Sequence, residues 1–399
     1  MNKINNIQPL NKIADLIRGI SFKRKEGLSE PLKDHFPIIR AGNIQDSLNL
    51  DKDLIWVPKE KVSNNQLIKY NDIIMCTSSG SPHIVEKCAK ANMNWKGSLG
   101  AFCVGIRSKK DRCDADYLYY YLKSPAFTNW SQKSSGANIK NIRKSELENF
   151  PITLPPLKEQ RRIASILDKA DAIRRKRQES IKLADEFLKS VFLDMFGDPV
   201  MNLMGWPEGT IRELVNEVNY GTSKKSDKEK GKYPILRMNN ITYNGFIDLN
   251  DLKYIDLNEN EQSKYFVNKN DLLFNRTNSK ELVGKTAVFD IDKKMAFAGY
   301  LIRLKTNEKS NPHYISGYLN SKHGKLTLMN MCKKITGVSN INAQELQNIK
   351  ILIPPKELQD KYSTLVKKIM KKKQILKSYL NLVDDLFNSL TQRAFKGEL

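Results

Sequence analysis

The chain has 399 residues and carries 67 Lys and Arg against 44 Asp and Glu, a formal net charge of +23 that points toward polyanionic partners. A hydrophobic fraction of 40%, an aromatic fraction of 9% and only 20 Gly and 15 Pro argue against a disordered or collagen-like chain. No uninterrupted apolar run approaches the ~18 residues of a spanning helix, and residues 1–20 scatter Asn, Lys, Asp and Arg where a signal peptide needs an apolar stretch; a cytoplasmic location is expected. At roughly 100 to 200 residues per domain, the length suggests two or three domains. The five cysteines (Cys76, Cys88, Cys103, Cys113 and Cys332) form no C-x-x-C pair, and the four histidines have no second ligand at a zinc-like spacing. Neither a disulfide framework nor a metal site is suggested.

Taken along the chain, the first segment reads as short β-branched and aromatic runs broken by Gly, Asn, Asp and Ser. Strands are predicted at 72–77 and 100–106, and a short helix at 116–123. After Pro155-Pro156 the pattern changes sharply. Residues 159–196 contain no Pro or Gly, and Ile163, Ile166, Leu167, Ala170, Ile173, Arg177, Ile181, Ala184, Leu188, Val191 and Met195 recur every three or four positions. This spacing predicts one long amphipathic helix, ended by Gly197-Asp198-Pro199.

The remainder repeats the first half. Phe36-Pro37-Ile38-Ile39-Arg40 faces Tyr233-Pro234-Ile235-Leu236-Arg237, Asn71-Asp72-Ile73-Ile74-Met75 faces Asn270-Asp271-Leu272-Leu273-Phe274, and Leu154-Pro155-Pro156 faces Ile353-Pro354-Pro355. The chain is therefore two copies of one unit, offset by half its length. The second copy predicts a strand at 271–276, a helix at 312–320 and a second long helix after Pro355 with Tyr362, Leu365, Ile369, Leu376, Leu380, Val383, Phe387 and Leu390 on one face; charge at 367–373 interrupts the stripe.

A helix of about 36 residues spans ~54 Å and cannot bury its stripe alone, so each long helix needs a partner. The other copy supplies it. The fold class expected is mixed α and β (α/β): two similar globular domains at 1–154 and 199–353, joined by two long antiparallel coiled-coil helices at 155–198 and 354–399, with an internal pseudo-two-fold repeat. Heptad-like stripes by themselves indicate core packing and nothing more. Here a rigid spacer between two non-identical domains would also measure a distance.

The chain lacks the motifs of catalysis. Gly284-Lys285-Thr286 resembles the end of a phosphate-binding loop, but Ser279 stands where the leading Gly belongs, so the match reads as chance. Neither Pro-Pro pair carries the preceding carboxylate or amide that would hold an adenine amine, and Gly97-Ser98-Leu99-Gly100 is a poor methyl-donor loop. The serines at 78–81 with His83 lack a nucleophile elbow, and Asp384-Asp385 are helix neighbours pointing in different directions. Solvated loop and solvated helix face are the better readings.

Basic and polar loops recur at matching places in both copies. After the strands at Asp72 and Asp271 come Thr77-Ser78-Ser79-Gly80-Ser81-Pro82-His83 and Arg276-Thr277-Asn278-Ser279-Lys280, donor-rich but unlike each other. Ser78, Ser79, Ser81, His83, Arg276, Thr277, Asn278 and Lys280 are candidate DNA contacts; Arg and Asn are the types that bond guanine and adenine through two hydrogen bonds. A second pair of loops supplies Lys133, Asn138 and Lys140 in one copy and Lys333, Lys334, Ser339 and Asn340 in the other. Their lysines suit phosphates better than bases. Lys23-Arg24-Lys25 and Lys224-Lys225 complete the candidate cationic surface. Any single lysine run is adequately explained as a solvated face, but a charge recurring in corresponding loops is not explained by solubility alone.

These residues carry a family resemblance. The block Leu154-Pro155-Pro156-Leu157-Lys158-Glu159-Gln160-Arg161-Arg162-Ile163-Ala164, its counterpart Ile353-Pro354-Pro355 with Gln359, the terminal Arg393-Ala394-Phe395-Lys396-Gly397-Glu398-Leu399, and Asn270-Asp271-Leu272-Leu273-Phe274-Asn275-Arg276-Thr277 together resemble the specificity subunit of a type I restriction-modification system over nearly the whole chain. Asn71 and Asn270 stand where that family commonly has a Gly before the Asp. The resemblance implies a non-catalytic subunit with two target-recognition domains that read a two-part double-stranded DNA site. It also implies two modification (methyltransferase) subunits bringing S-adenosylmethionine chemistry on adenine, and restriction subunits bringing ATP- and Mg-dependent translocation and cleavage. No cofactor is expected on this chain. The competing readings are a self-sufficient methyltransferase or nuclease, and a coiled-coil scaffold with incidental positive charge.

Overall fold

The computed structural model describes residues 6–81, 84–134, 141–279, 282–332 and 339–399. The chain divides into two compact units, Met1–Arg177 with Tyr379–Leu399, and Gln178–Ser378. Both are built on the same plan.

In the first unit, a four-stranded antiparallel sheet runs in the order Ala14–Arg18, Cys103–Ser108, Ile73–Cys76, Cys88–Lys90. A second sheet places Ile55–Pro58 antiparallel and Ser98–Leu99 parallel to a central His35–Ile39. The second unit repeats the first sheet as Val215–Tyr220, Leu301–Thr306, Leu272–Asn275, Thr286–Val288. Its other sheet repeats the antiparallel and parallel pairs around Tyr233–Leu236 and adds Phe266–Val267 at the edge. Register is duplicated too: Ile73 faces Ile106 as Leu272 faces Leu304.

The predicted strand at 72–77 is observed as Ile73–Cys76 and that at 271–276 as Leu272–Asn275. Asn71 and Asn270, just before them, have φ of 71° and 70°. That left-handed conformation is cheap for Gly and next cheapest for Asn, which accounts for the residue types at this turn.

The strand expected at 100–106 is observed as Cys103–Ser108, because residues 100–102 form a turn. Ser98–Leu99 belongs to one sheet and Cys103–Ser108 to the other, and the chain changes sheet through a turn closed by the Cys103 N–H donating to the Gly100 carbonyl at 2.9 Å. Apolar periodicity cannot register such a switch, because the turn residues Ala101 and Phe102 are themselves apolar and continue the run.

The short helices lie where expected, at Ala115–Leu122 and Pro312–Asn320. The Asp114 carboxylate accepts from the Asp116 and Tyr117 N–H groups, and the Asn311 side chain accepts from the His313 N–H, so each helix start is capped by a side chain.

The long helices span Leu157–Phe196 and Lys356–Lys396, and part of each lies in each unit. In the first unit Ile163 and Leu167 join Phe387 and Ala394 in one core with Tyr117, Leu118 and Ile106. The two segments run antiparallel there: the Arg162 guanidinium donates to the Leu399 carbonyl at 2.7 Å, and Arg177 lies 5.8 Å from the Tyr379 ring. In the second unit Leu188, Phe192 and Phe196 pack with Tyr362 and Val366 against Phe274, Ile302 and Tyr314. Pairing is again antiparallel, with Phe196 5.4 Å from Tyr362 and Asp185 ion-paired with Lys373.

The helix faces depart from the sequence stripe at three places. Ile173 and Leu365 are 52% and 38% exposed, whereas Val366 is buried. Lys373, counted among the charges that break the stripe, is itself buried against Asp185, so part of the interruption is an interior ion pair. All five cysteines are buried and free. Among the described residues no helix is long and apolar enough to cross a membrane.

Candidate nucleic-acid interface

The Pro-Pro blocks create the platform that carries the loops. Gln160, buried one turn into the first long helix, accepts from the Asp114 N–H at 2.8 Å and donates to the Arg112 and Pro155 carbonyls at 3.2 and 2.8 Å. Gln359 does the same in the second unit, accepting from the Asn311 N–H at 2.8 Å and donating to the Lys309 and Pro354 carbonyls at 3.2 and 2.8 Å. The Tyr117 and Tyr314 hydroxyls donate to the carbonyls of Thr153 and Leu352, each at 2.6 Å. These bonds tie the helix starts to the sheet domains and explain why Gln follows the prolines in both copies.

A buried Arg–Asp pair holds the strand that leads into each candidate loop. Arg107 engages both Asp72 oxygens at 2.7 Å and also donates to the Leu67 carbonyl. Arg303 donates to the Phe266 carbonyl at 2.6 Å and lies 3.8 Å from Asp271. Burial raises the Asp271 carboxyl above its ordinary range, against the Asn268 N–H and the Arg303 charge that favour its ionised form.

Beyond these strands, the structure joins two loops that are far apart in sequence. Thr277–Asn278 pairs antiparallel with Ser339–Asn340, and the Thr277 hydroxyl donates to the Asn340 side-chain Oδ1 at 3.3 Å. The Arg276 N–H donates to the Tyr300 carbonyl at 3.0 Å, and its own carbonyl accepts from Ile341. The Arg276 guanidinium lies 4.8 Å from the Tyr220 ring, whose hydroxyl accepts from the Ala343 N–H at 2.9 Å. The Nε of Arg276 is buried with no hydrogen-bond partner among the described residues. Arg276, Thr277, Asn278, Ser339 and Asn340 thus form one cluster.

The first unit has the same frame with other side chains. The Thr77 and Ser78 N–H groups donate to the Phe102 carbonyl at 2.9 and 3.3 Å, Ile142 donates to Thr77, and Ser78 bridges Asn141. Ser79 accepts from the Ser81 N–H at 3.1 Å.

The lysine stretches make contacts of their own. Lys23, Arg24 and Lys25 are exposed on a short turn whose Glu26 takes Lys61 at 3.0 Å. Lys224 is paired with Glu261 at 2.8 Å, and Lys225 is exposed. No hydrogen bond or ion pair among the described residues links any of them to the loops. Lys133 lies in the helix Pro125–Ser134. His83, Asn138, Lys140, Lys280, Lys333 and Lys334 lie outside the described residues.

Lys285 of the loop-like Gly284-Lys285-Thr286 is buried and donates to the Met238 carbonyl at 2.7 Å, and Thr286 begins a strand. Its ammonium is committed to the protein interior. Sequence reasoning missed Tyr220, Phe102 and Tyr300. The aromatic shared by Ala101-Phe102 and Gly299-Tyr300 in the repeat alignment was the available signal.

Comparison with known proteins completes the picture. Residues 6–183 and again 204–383 match the family described as type I restriction modification DNA specificity domain. The chain is similar to the type I restriction enzyme EcoKI specificity subunit of Escherichia coli K12, at 29% identity over 98% of this chain and 89% of that protein. It is also similar to the StySPI specificity subunit of Salmonella potsdam, at 28% identity over 98% and 88%. Among solved structures, the type I S subunit from M. genitalium matches with a TM-score of 0.55 at 17% identity, over 99% of this chain and 97% of that one. A chain from a study of assembly and conformational transition in a type I system matches at 0.54 and 16% identity, over 99% and 98%. With one copy of the family domain on each sequence repeat, this protein belongs to the type I restriction-modification DNA specificity family.

Proposed function

We propose that the chain is the non-catalytic, sequence-specific DNA-binding subunit of a type I restriction-modification complex, each unit reading one half of a bipartite, asymmetric site. The observation that carries this reading is a duplicated backbone frame presenting unlike side chains: Thr77 and Ser78 in one unit, Arg276, Thr277 and Asn278 in the other. Matching frames with different donors suit two different half-sites, because base edges are distinguished by donor and acceptor pattern. The net charge of +23 supplies phosphate attraction, and the candidate lysines and Arg24 serve register and affinity in preference to base choice.

The long helices, of 40 and 41 residues, set the spacer between the half-sites. At ~1.5 Å per residue each spans ~60 Å, or roughly one and three-quarter duplex turns at ~34 Å per turn, which sets the upper limit on the separation of the half-sites. Exposed apolar residues along them, among them Leu183, Phe187, Ile375, Leu382 and Leu386, are surplus to the helix pairing and dock two modification subunits, with restriction subunits joining the assembly. S-adenosylmethionine, ATP and Mg belong to those partners, in the cytoplasm, and none to this chain.

The test is a genome-wide map of modified adenines in cells with and without this gene. A bipartite motif that disappears on deletion is expected, and Arg276→Ala should relax one position of one half by ~1 to 3 kcal/mol. An unchanged map on deletion overturns the proposal.

A further inference from the structure

Phe102 and Tyr300 are large aromatic side chains at equivalent places in the two units, 67% and 55% exposed. Each sits at the third position of a tight turn, closed by Cys103 N–H to the Gly100 carbonyl at 2.9 Å in one unit and Leu301 N–H to the Ala298 carbonyl at 2.8 Å in the other. Both turns are seated on a glycine of a neighbouring segment. A Cβ on Gly19 would lie 2.1 Å from the Gly100 oxygen, and one on Gly221 would lie 2.3 Å from the Ala298 oxygen. No other residue type allows that approach, so the turns are held against the sheet edge.

The carbonyl of each aromatic residue accepts the backbone N–H groups of the candidate reading loop, Thr77 and Ser78 from Phe102, and Arg276 from Tyr300. The ring is therefore rigidly coupled to that loop while its own face is open to solvent. The other turn residues, Gly100, Ala101, Ala298 and Gly299, are small and uncharged. They leave room for a large partner to come close. Leaving an aromatic exposed on a surface turn gains nothing for folding, yet both copies do so beside reading loops that differ between them.

We infer that Phe102 and Tyr300 are specificity-determining residues, each packing its ring against a base of the half-site read by its own unit. This inference rests on the proposed DNA reading of the loops. Aromatic rings recognise bases by covering a thymine methyl in the major groove or by wedging into a base step, and both use the same flat apolar surface. Phe102 has only that surface, whereas Tyr300 adds a hydroxyl that can donate to or accept from a base edge.

The experiment is the modified-adenine map in cells carrying the full-length wild type, Phe102→Ala or Tyr300→Ala. Phe102→Ala should lower discrimination about tenfold at one position of one half-site and leave the other half intact; Tyr300→Ala should do the reverse. Phe102→Tyr should restore the wild-type motif, since it keeps the ring. Binding of the full chain to a duplex of that motif then separates the two contacts. If uracil in place of thymine weakens binding as much as Phe102→Ala does, the ring covers a methyl. If 2-aminopurine at the affected step brightens on binding wild type but not Phe102→Ala, the ring is a wedge. The absence of both responses overturns the inference, and so does a motif that both alanine variants leave unchanged. A wild-type chain that specifies no motif overturns the DNA-reading proposal itself and this inference with it.

Discussion

Gln160 and Gln359 occupy equivalent places and make the same three bonds at nearly the same lengths, while Thr77 and Arg276 occupy equivalent places and offer different chemistry on the same backbone bonds. The contrast separates two demands on a duplicated fold. At the helix starts, a buried amide must satisfy a fixed N–H and two fixed carbonyls, and only Gln has the reach and the donor–acceptor pair to do so. At the loop, the frame is maintained by main-chain bonds, which place no demand on the side chain. Side chains there can differ between copies without cost to the fold, which is what two unlike half-sites need.

The largest expected effect tests what the shared parts do. Inserting one heptad into both long helices, placed to preserve the apolar stripe, should abolish modification at the natural site and restore it at sites whose spacer is roughly three base pairs longer, given ~1.5 Å per helical residue and ~34 Å per duplex turn. An unchanged spacer in the modified-adenine motif would remove the helices as ruler.

Next come the clasps themselves. Gln160→Leu and Gln359→Leu should each cost about 2 to 4 kcal/mol, because each strands a buried N–H and two carbonyls, measured by urea unfolding of the full chain. Clearly unequal losses would show that the two copies are not equivalent scaffolds.

A third variant addresses a place where the copies differ inside. Lys325 and Thr128 both follow a serine that caps its helix from the same turn, Ser321 and Ser124, and they bond back to it alike. Lys325 Nζ is buried without a hydrogen-bond partner among the described residues, 4.7 Å from the Tyr243 ring. Burial, reinforced by the Lys285 and Lys189 charges, brings its pKa down from 10.5 to about 8. Between those values the unfolded chain binds the extra proton, so stability should rise with pH from about 8 to about 10.5. Lys325→Met should stabilise the protein at pH 7 by about 2 kcal/mol and flatten that rise, as read from unfolding curves across pH. A rise of the same size in the variant would refute the assignment to Lys325.

The smallest effect sharpens the loop side. Tyr220→Phe loses the bond from the Ala343 N–H but keeps the ring under Arg276, and should cost about 1 kcal/mol of stability while leaving the motif unchanged. A relaxed motif would show that the hydroxyl, and not the ring face alone, positions Arg276.

Much of the scaffold was legible in the chain because its signals are local or periodic. The proline pairs, the three-to-four-residue spacing and Gly197-Asp198 bracket the first long helix to within a few residues, and the helix at Pro312–Asn320 begins at its own Asn cap and proline. The candidate site was legible only in part. Arg276, Thr277 and Asn278 were visible as suitable residue types, but their junction with Ser339 and Asn340 was not, since Thr277 and Asn340 are 63 positions apart. The turn at 100–102, where the chain passes from one sheet to the other, was equally invisible, and with it the exposure of Phe102.

By itself, then, the sequence determined the two-fold repeat, the mixed α and β class, the extent of the long helices and the positive charge, all of which are written in composition and in spacing along one stretch of chain. Only the tertiary structure decided that Lys373 is buried against Asp185 while Ile173 is left exposed, that Tyr220 lies under Arg276, and that Phe102 and Tyr300 stand out beside the reading loops. The reason is physical: a helix records its own turn-to-turn contacts in its periodicity, whereas burial, cross-strand pairing and ring stacking are set by partners that the chain reaches only after it has folded back on itself.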